Sequence, residues 1–388
     1  MLYCVLFCLP ALATLGGAIY LLARKKKSHV TDTMANVLLI LSVSIFCYAQ
    51  YYNPAVIERQ SWGFDLVYGV IAPFCAPVYF LFLNRLTEIR RSEVKEILAF
   101  APSVILVLLL VYSYLMASDV ERHAYIGCIT QGKAGDVSTQ SYEMLILAGY
   151  QLFRVILCLQ VVLVIVYGVF RLKSYVNLLG DYYSTIDSTD VIRIRGIHSM
   201  SIVIIIMAMS LSMLPTHEWG NSLLLVALLN FLEVVIVVRI VIYFDKVDYT
   251  AESLSRMIEA TAPGQSDATS ASEGVLLALM EKMDDVMVRD RLFLNPSLSL
   301  IMLSEAVGTN RTYVSQAIKQ FKGCNFSDYV NRFRIDYALD LMGRRSPGEI
   351  IVQNIAAECG CGSTQTFYRY FKMFCNTTPT VWLENNGK

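Results

Sequence analysis

Charge is what this 388-residue chain has least of: Asp, Glu, Lys and Arg make up 16% of it, against 55% apolar residues. That balance excludes an ordinary soluble globule, in which about a quarter of residues are charged, and a disordered polyelectrolyte. Basic and acidic side chains are equal at 32 each, but the zero averages two unlike halves, apolar runs over 1–244 and mixed sequence beyond. Histidine is scarce, and the four (His29, His123, His198, His217) are scattered; the ten cysteines contain no C-x-x-C pair. Zinc needs clustered ligands, so no metal site is expected. Cys47, Cys75 and Cys158 lie in apolar runs, where a thiol packs as a small apolar group. Cys324, Cys359, Cys361 and Cys375 lie near the C-terminus. An extracytoplasmic disulfide would use Cys128 with Cys4 or Cys8; free thiols are the simpler reading. P-loop, H-E-x-x-H and G-x-S-x-G patterns are missing, and no catalytic set or cofactor motif stands out. A non-enzyme without a cofactor is the expectation.

The apolar half breaks into stretches of the length a membrane helix needs, about 20 residues. There are seven, at roughly 2–23, 34–52, 64–83, 97–116, 144–170, 199–215 and 221–244. The first is followed, not preceded, by its basic cluster (Arg24, Lys25, Lys26, Lys27), the reverse of a secretory signal. Loop charges orient the rest. The loops at 24–33, 84–96 and 171–198 hold four Lys or Arg each, while those at 53–63, 117–143 and 216–220 hold one, two and none. Strict alternation of this kind places the basic loops in the cytoplasm. The N-terminus is then outside and the C-terminus inside. This makes an inner-membrane, multi-pass chain with the lipid bilayer as one partner.

Two charges fall deep in the spans. Arg154 and Glu233 lie about ten and twelve residues into the fifth and seventh stretches, at similar depth for a rise of about 1.5 Å per residue. Unpaired charge is costly there, so such residues pair or line a polar cavity. An Arg154–Glu233 pair or shared pocket is a candidate sensor, beside the plain reading of a structural ion pair. Asp65, Gln50, Gln151, Gln160 and Arg239 are weaker candidates, and Pro73 and Pro77 are expected to kink the third span. The outer loop 117–143 is too short for a separate sensor domain.

Past Phe244 the chain turns polar. Residues 245–274 read as a linker, with the small, polar run 261–272 as a flexible tether; release by cleavage within 261–273 is an open variant. Val275, Leu276, Leu279, Met280, Met283 and Met287 share most of one helical face, for packing on the following domain or for dimerisation. The domain itself is expected over 275–388, with two units at about 297–321 and 350–374. A helix-turn-helix needs a small residue where its helices cross, a turn that often holds Gly, and apolar anchors in the second helix. Ser304, Gly308 and Val314 fill those places, and Asn310 can cap. Val314, Ala317, Ile318 and Phe321 face inward; Arg311, Thr312, Ser315, Gln316 and Lys319 share the other face. About fifty residues on, Ala356, Gly360 and the cap Ser363 repeat the pattern. Phe367, Tyr370, Phe371 and Phe374 face inward, and Gln365, Tyr368, Arg369 and Lys372 outward. Apolar behind and polar in front suits a helix lying in a major groove. Between the units, Phe326 to Met342 reads as one helix with Phe326, Val330, Phe333, Tyr337 and Leu341 inward. It is about 25 Å long, enough to set two reading helices toward grooves about 34 Å apart.

These residues resemble the AraC/XylS-type regulators over about 290–385. The likeness rests on Pro296-x-Leu298-Ser299-Leu300, Gly308-x-Asn310-Arg311-Thr312-Tyr313-Val314-Ser315 and Phe326-x-x-Tyr329-Val330-Asn331-x-x-Arg334-Ile335. It continues through Ile355-Ala356, Gly360-x-x-Ser363-x-x-Thr366-Phe367-Tyr368-Arg369-x-Phe371-Lys372 and Thr378-Pro379. The resemblance implies sequence-specific binding to double-stranded DNA and control of transcription, with base reading at Thr312, Ser315, Gln316, Thr364, Gln365 and Arg369. RNA polymerase and a second copy of the chain are the further partners expected. Cys361 departs from the family's core Phe. Asn376 replaces its Gly, although Asn takes the same left-handed turn. Net charge over 297–388 is modest, ten basic against seven acidic residues. The fold class expected is all-α: a seven-helix transmembrane bundle, then a cytoplasmic double helix-turn-helix domain. The function expected is a membrane-bound one-component transcription regulator answering a signal sensed in or outside the membrane. The alternatives are a membrane transporter or enzyme with an appended regulatory domain, and a protein-interaction module that no longer binds DNA.

Overall fold

The computed structural model describes residues 2–24, 28–50, 63–87, 92–122, 142–184, 188–213, 223–245, 273–345 and 351–386. Most of the expected linker, most of the outer loop 117–143, Cys128, and the side chains of Cys4, Gln151 and Arg154 lie outside the described residues. By packing the chain divides into two compact units, 1–172 with 193–254, and 173–192 with 255–388. The described residues are helical throughout, apart from turns and one isolated bridge between Tyr183 and Ser299.

In the first unit a helix occupies each of the seven apolar stretches. They are α1 (Leu2–Ala23), α2 (His29–Ala49), α3 with α4 (Gly63–Ile71 and Cys75–Thr87), α5 (Glu93–Met116), α6 (Tyr142–Tyr182, its turns after Leu172 counted with the second unit), α7 (Ser188–Met213, in the first unit from Arg193) and α8 (Leu223–Asp245). Among the described residues four segments are long and apolar enough to cross a membrane: His29–Ala49, Gly63–Thr87, Glu93–Met116 and Val155–Tyr182. Cys8–Ala23 and Ile194–Met207 are shorter apolar segments. Long apolar sequence becomes helix because a helix satisfies every backbone group within itself. The kink expected in the third stretch is a 3₁₀ turn at Ala72–Phe74, where Pro73 cannot continue the α ladder. The Pro73 carbonyl is recovered from outside the helix: Ser103 Oγ donates to it at 2.7 Å and accepts from Gln160 Nε2 at 3.2 Å. Tyr114 donates to buried Asp65, and Gln50 satisfies itself on the Phe46 carbonyl at 3.3 Å.

The second unit contains α9 (Glu273–Arg289), α10 (Leu300–Val307), α11 (Arg311–Ala317), α12 (Phe326–Arg344), α13 (Val352–Glu358), α14 (Thr364–Cys375) and α15 (Pro379–Asn386). Of the two uses open to α9, packing on its own domain is the one found. Leu276, Met280, Met283, Val286 and Met287 are buried against α10 and α11. Val275, expected on that face, is exposed. The larger difference is in α12. Its Phe333, Tyr337 and Leu341 are only half-buried, whereas Tyr329, Asn331, Arg334, Ile335, Ala338 and Met342 are fully buried. A single apolar stripe is the wrong expectation because α12 serves two cores. Phe326, Tyr329 and Val330 join the α9–α11 cluster, and Ile335, Ala338 and Met342 join the α13–α14 cluster.

The two turn glycines, alike in sequence, differ in space. Gly308 and Gly360 both have positive φ, +70° and +74°. A Cβ on Gly308 would meet nothing within 4 Å, while one on Gly360 would sit 2.3 Å from the Leu294 carbonyl oxygen. Gly308→Ala should therefore cost only the left-handed backbone penalty, about 1–2 kcal/mol. Gly360→Ala adds a clash with main chain and should cost about 3 kcal/mol or more. Urea midpoints of the two variants, followed by amide exchange in the C-terminal unit, should rank them in that order; equal losses would contradict it.

Candidate nucleic-acid interface

Each candidate reading helix is held by local chemistry that its sequence specifies. In the first helix-turn-helix unit Ser304 is buried where α10 meets α11, its hydroxyl donating to the Ile301 carbonyl at 2.7 Å. Gly308 closes α10 in the left-handed region, and Lys282 Nζ donates to the Val307 carbonyl at 2.8 Å. Asn310 caps α11 by accepting from the Thr312 amide at 2.9 Å. Val314, Ala317 and Ile318 are fully buried behind it. The α-winding stops at Ala317; Ile318–Lys322 continue as a π turn that ends on left-handed Gly323.

The second helix-turn-helix unit repeats the plan. Ala356 is buried at the crossing, and Ser363 caps α14 by accepting from the Thr366 amide at 3.2 Å. Phe367, Tyr370 and Phe371 are buried. Cys361 is buried in the same core, where burial pushes its thiol up to about 11 and that of Cys359 up to about 12. Asn376 ends α14 with φ +55°, the left-handed turn expected of it. A bidentate pair from Arg345 to Glu358 (3.0 and 2.7 Å) ties the end of α12 to α13 and holds the Glu358 carboxyl below its usual range.

The outward faces are polar. On α11 and its continuation Thr312 and Lys319 are exposed, and Arg311, Ser315 and Gln316 are half-buried. On α14 Gln365, Arg369 and Lys372 are exposed and Thr364 is half-buried. Tyr368 is less available: its ring packs on the second core and its hydroxyl lies 3.3 Å from Thr380 Oγ1. The Arg369 guanidinium rests over the Tyr370 ring, 4.7 Å from its centroid, a cation–π contact that limits its swing without occupying its donors. Among the described residues no group of three or more His, Cys, Asp or Glu is placed to hold a metal.

One set of neighbours carries no sequence signal. Residues 173–184, the last turns of α6 together with Tyr183 and Ser184, belong to the same compact unit as the helix-turn-helix pair. Leu178, Asp181 and Tyr182 line a cleft of about 770 Å³ whose other side is Arg311, Thr312, Ser315, Gln316 and Lys319. Asp181 pairs with Lys319 at 3.0 Å. In the sequence this segment stands out only for its loop charges, and nothing there points to α11.

Residues 303–385 match a family model described as a helix-turn-helix domain. The probable transcription factor PqrA of Proteus vulgaris is 29% identical over 91 residues, which are 24% of this chain and 72% of that protein. The uncharacterized transcriptional regulatory protein YesN of Bacillus subtilis (strain 168) is 32% identical over 95 residues, again 24% of this chain but only 25% of that protein. No solved structure gives a significant match. The family match begins after the apolar half and says nothing of it. Two capped helix-turn-helix units on one connecting helix, taken with these relatives, make residues 303–385 a DNA-binding helix-turn-helix domain of the AraC/XylS type, the kind carried by transcription regulators.

Proposed function

We propose that the chain is a membrane-bound one-component transcription regulator. It binds specific double-stranded DNA through both helix-turn-helix units and is controlled by a signal read in the membrane half. The observation that carries this is the pairing of two capped helices, each with a buried apolar back and a polar front, on one connecting helix. Gln316 and Arg369 are the leading base readers, because Gln pairs bidentately with adenine and Arg with guanine. Thr312, Ser315, Thr364 and Gln365 complete the reading set. Arg311, Lys319 and Lys372 meet phosphate.

Seven spans with the N-terminus outside put this domain in the cytoplasm, below the inner membrane. The alternation of basic loops supports that topology. So does the outer face of α5, where Ile97, Leu98, Leu108 and Leu115 are each more than 60% exposed, a surface suited to lipid and costly in water. For the signal we look to a cavity of about 140 Å³ in the first compact unit, lined mainly by apolar side chains and by Asn230 and Glu233. Glu233 is 4% exposed, and its Oε1 has no hydrogen-bond partner among the described residues. A polar group in that position favours a ligand that brings its own donor. The Arg154 partner proposed for it lies, as a side chain, outside the described residues. Dimerisation on paired sites and contact with RNA polymerase complete the proposal.

Two outcomes test it. Purified full-length protein should select discrete sites from genomic duplex fragments. Arg369→Ala should weaken binding to a selected site by about 5- to 160-fold, the 1–3 kcal/mol of one bidentate contact; unchanged affinity would remove Arg369 from the reading set. Glu233→Gln should change expression from a promoter bound in vivo while membrane abundance stays the same. An unaltered reporter would leave Glu233 a structural residue.

A further inference from the structure

The C-terminal compact unit holds residues 173–184 by more than surface contact. Ser184 is completely buried. Its amide donates to the Leu298 carbonyl at 3.0 Å. Its carbonyl accepts from Asn331 Nδ2 at 2.7 Å and Ser327 Oγ at 3.0 Å, and its hydroxyl accepts from Arg334 Nη2 at 3.0 Å. Those three donors are on α12 and are themselves buried. Tyr183 bridges to Ser299, the N-cap of α10, and Tyr182 packs on the α9–α11 core. Gly180 lies close enough to Asn325 that a Cβ there would touch its side chain at 3.5 Å. The domain thus presents a polar socket filled by one residue, Ser184, through its amide, carbonyl and hydroxyl, and each buried polar atom in it would be costly to leave unpaired.

The segment's position is what matters for function. From the Ser184 socket the chain runs back along the outward face of α11. There Asp181 takes Lys319, and Leu178, Asp181 and Tyr182 stand across the cleft from all five outward residues of the first helix-turn-helix. A reading helix must enter a groove about 12 Å wide and 8.5 Å deep with a phosphate strand on each side. Leu178, Asp181 and Tyr182 stand on the side from which the groove walls would approach, so segment and duplex compete for that face. The carboxylate on Lys319 also occupies a cation that the DNA-binding reading assigns to phosphate, so duplex and segment compete for one charge.

We propose that residues 173–184 are an intramolecular cover for the first reading helix: while Ser184 is seated and Asp181 holds Lys319, that helix cannot enter a major groove, and DNA binds the state in which the cover has left. The inference rests on the DNA-binding function proposed for the domain and adds its regulation. Arg369, Gln365 and Lys372 of α14 are not among the residues lining the covered cleft. The covered state therefore retains one usable helix-turn-helix and the released state has two. The cover is the direct continuation of α6, the helix of the fifth apolar stretch. A signal acting on that stretch is joined to the cover by one continuous helix.

The ion pair is exposed on the Lys319 side and is worth at most about 1 kcal/mol; the buried Ser184 socket supplies most of the hold. Release is tested in the full chain, in lipid nanodiscs, with sheared genomic duplex at low salt. Asp181→Asn, which breaks the ion pair without adding a cation, should tighten binding up to about fivefold by raising the fraction of uncovered protein. Ser184→Pro, which removes the donated amide, should act in the same direction. A gain in affinity is a result that poor folding cannot produce. In the unmodified chain, saturating duplex should speed amide exchange across 178–184 at least about tenfold. Binding with that exchange unchanged overturns the inference and leaves the DNA-binding reading standing. No binding by any of the proteins overturns both.

Discussion

The C-terminal unit depends on one buried cation. Arg334 sits in the middle of α12 with no exposed surface, and burial pulls its guanidinium down to about 10, so it is still charged at neutral pH. Its Nε donates to the Phe293 carbonyl at 2.6 Å and its Nη2 to the Asn295 carbonyl at 2.7 Å, with Ser184 and Asn331 completing its ring of acceptors. These acceptors belong to separate pieces of chain: the turn after α9, the segment after α6, and α12 itself. A desolvated guanidinium tolerates few losses among its partners. It therefore sets the distance between α12 and everything that crosses it, including the turn at Leu294 against which Gly360 closes.

That constraint explains why α12 does more than separate two reading helices. A helix of 19 residues with one apolar stripe would cover a single core and leave the second helix-turn-helix loosely attached. Instead its two faces are shared out, and a polar seam of Ser327, Asn331 and Arg334 runs between them. Ser327 also meets the Tyr370 hydroxyl at 2.8 Å, so the seam reaches the back of α14. The socket for Ser184 is thus connected by hydrogen bonds to both helix-turn-helix units. The first compact unit follows another rule. It exposes apolar side chains, and some of its interior polar groups pair across helices, as Ser103 does with Pro73 and Gln160, and Tyr114 with Asp65. Several buried polar atoms there have no partner among the described residues, Gln160 Oε1, His198 Nε2 and Glu233 Oε1 among them, and unsatisfied groups of that kind call for an explanation each.

Much of this was legible without coordinates, because it is local. The caps at Asn310 and Ser363, the crossing residues Ser304 and Ala356, and the left-handed turns at Gly308, Gly360 and Asn376 depend on neighbours within a few positions, and periodicity reports them. The kink at Pro73 was legible for the same reason. Less legible was anything decided by two partners at once. Phe333 and Tyr337 look like core from their spacing, and Arg334 looks like surface from its charge. In the fold the order is reversed, because α12 is packed on two sides and its polar seam has acceptors brought from far along the chain.

What the sequence determined by itself is the kind of protein: long apolar helices, then two helix-turn-helix units of a recognisable family, each with a polar front. Composition and short-range periodicity are enough for that, since backbone satisfaction and capping are settled within one or two turns. What only the tertiary structure decided is which distant segment packs against those units. Asp181 and Ser184 lie more than a hundred residues from Lys319 and Arg334, and no local pattern records that they meet. Contacts of that length arise when buried donors on one element need acceptors that their own neighbourhood does not supply, and the chain meets that need by bringing a distant segment across the first reading helix.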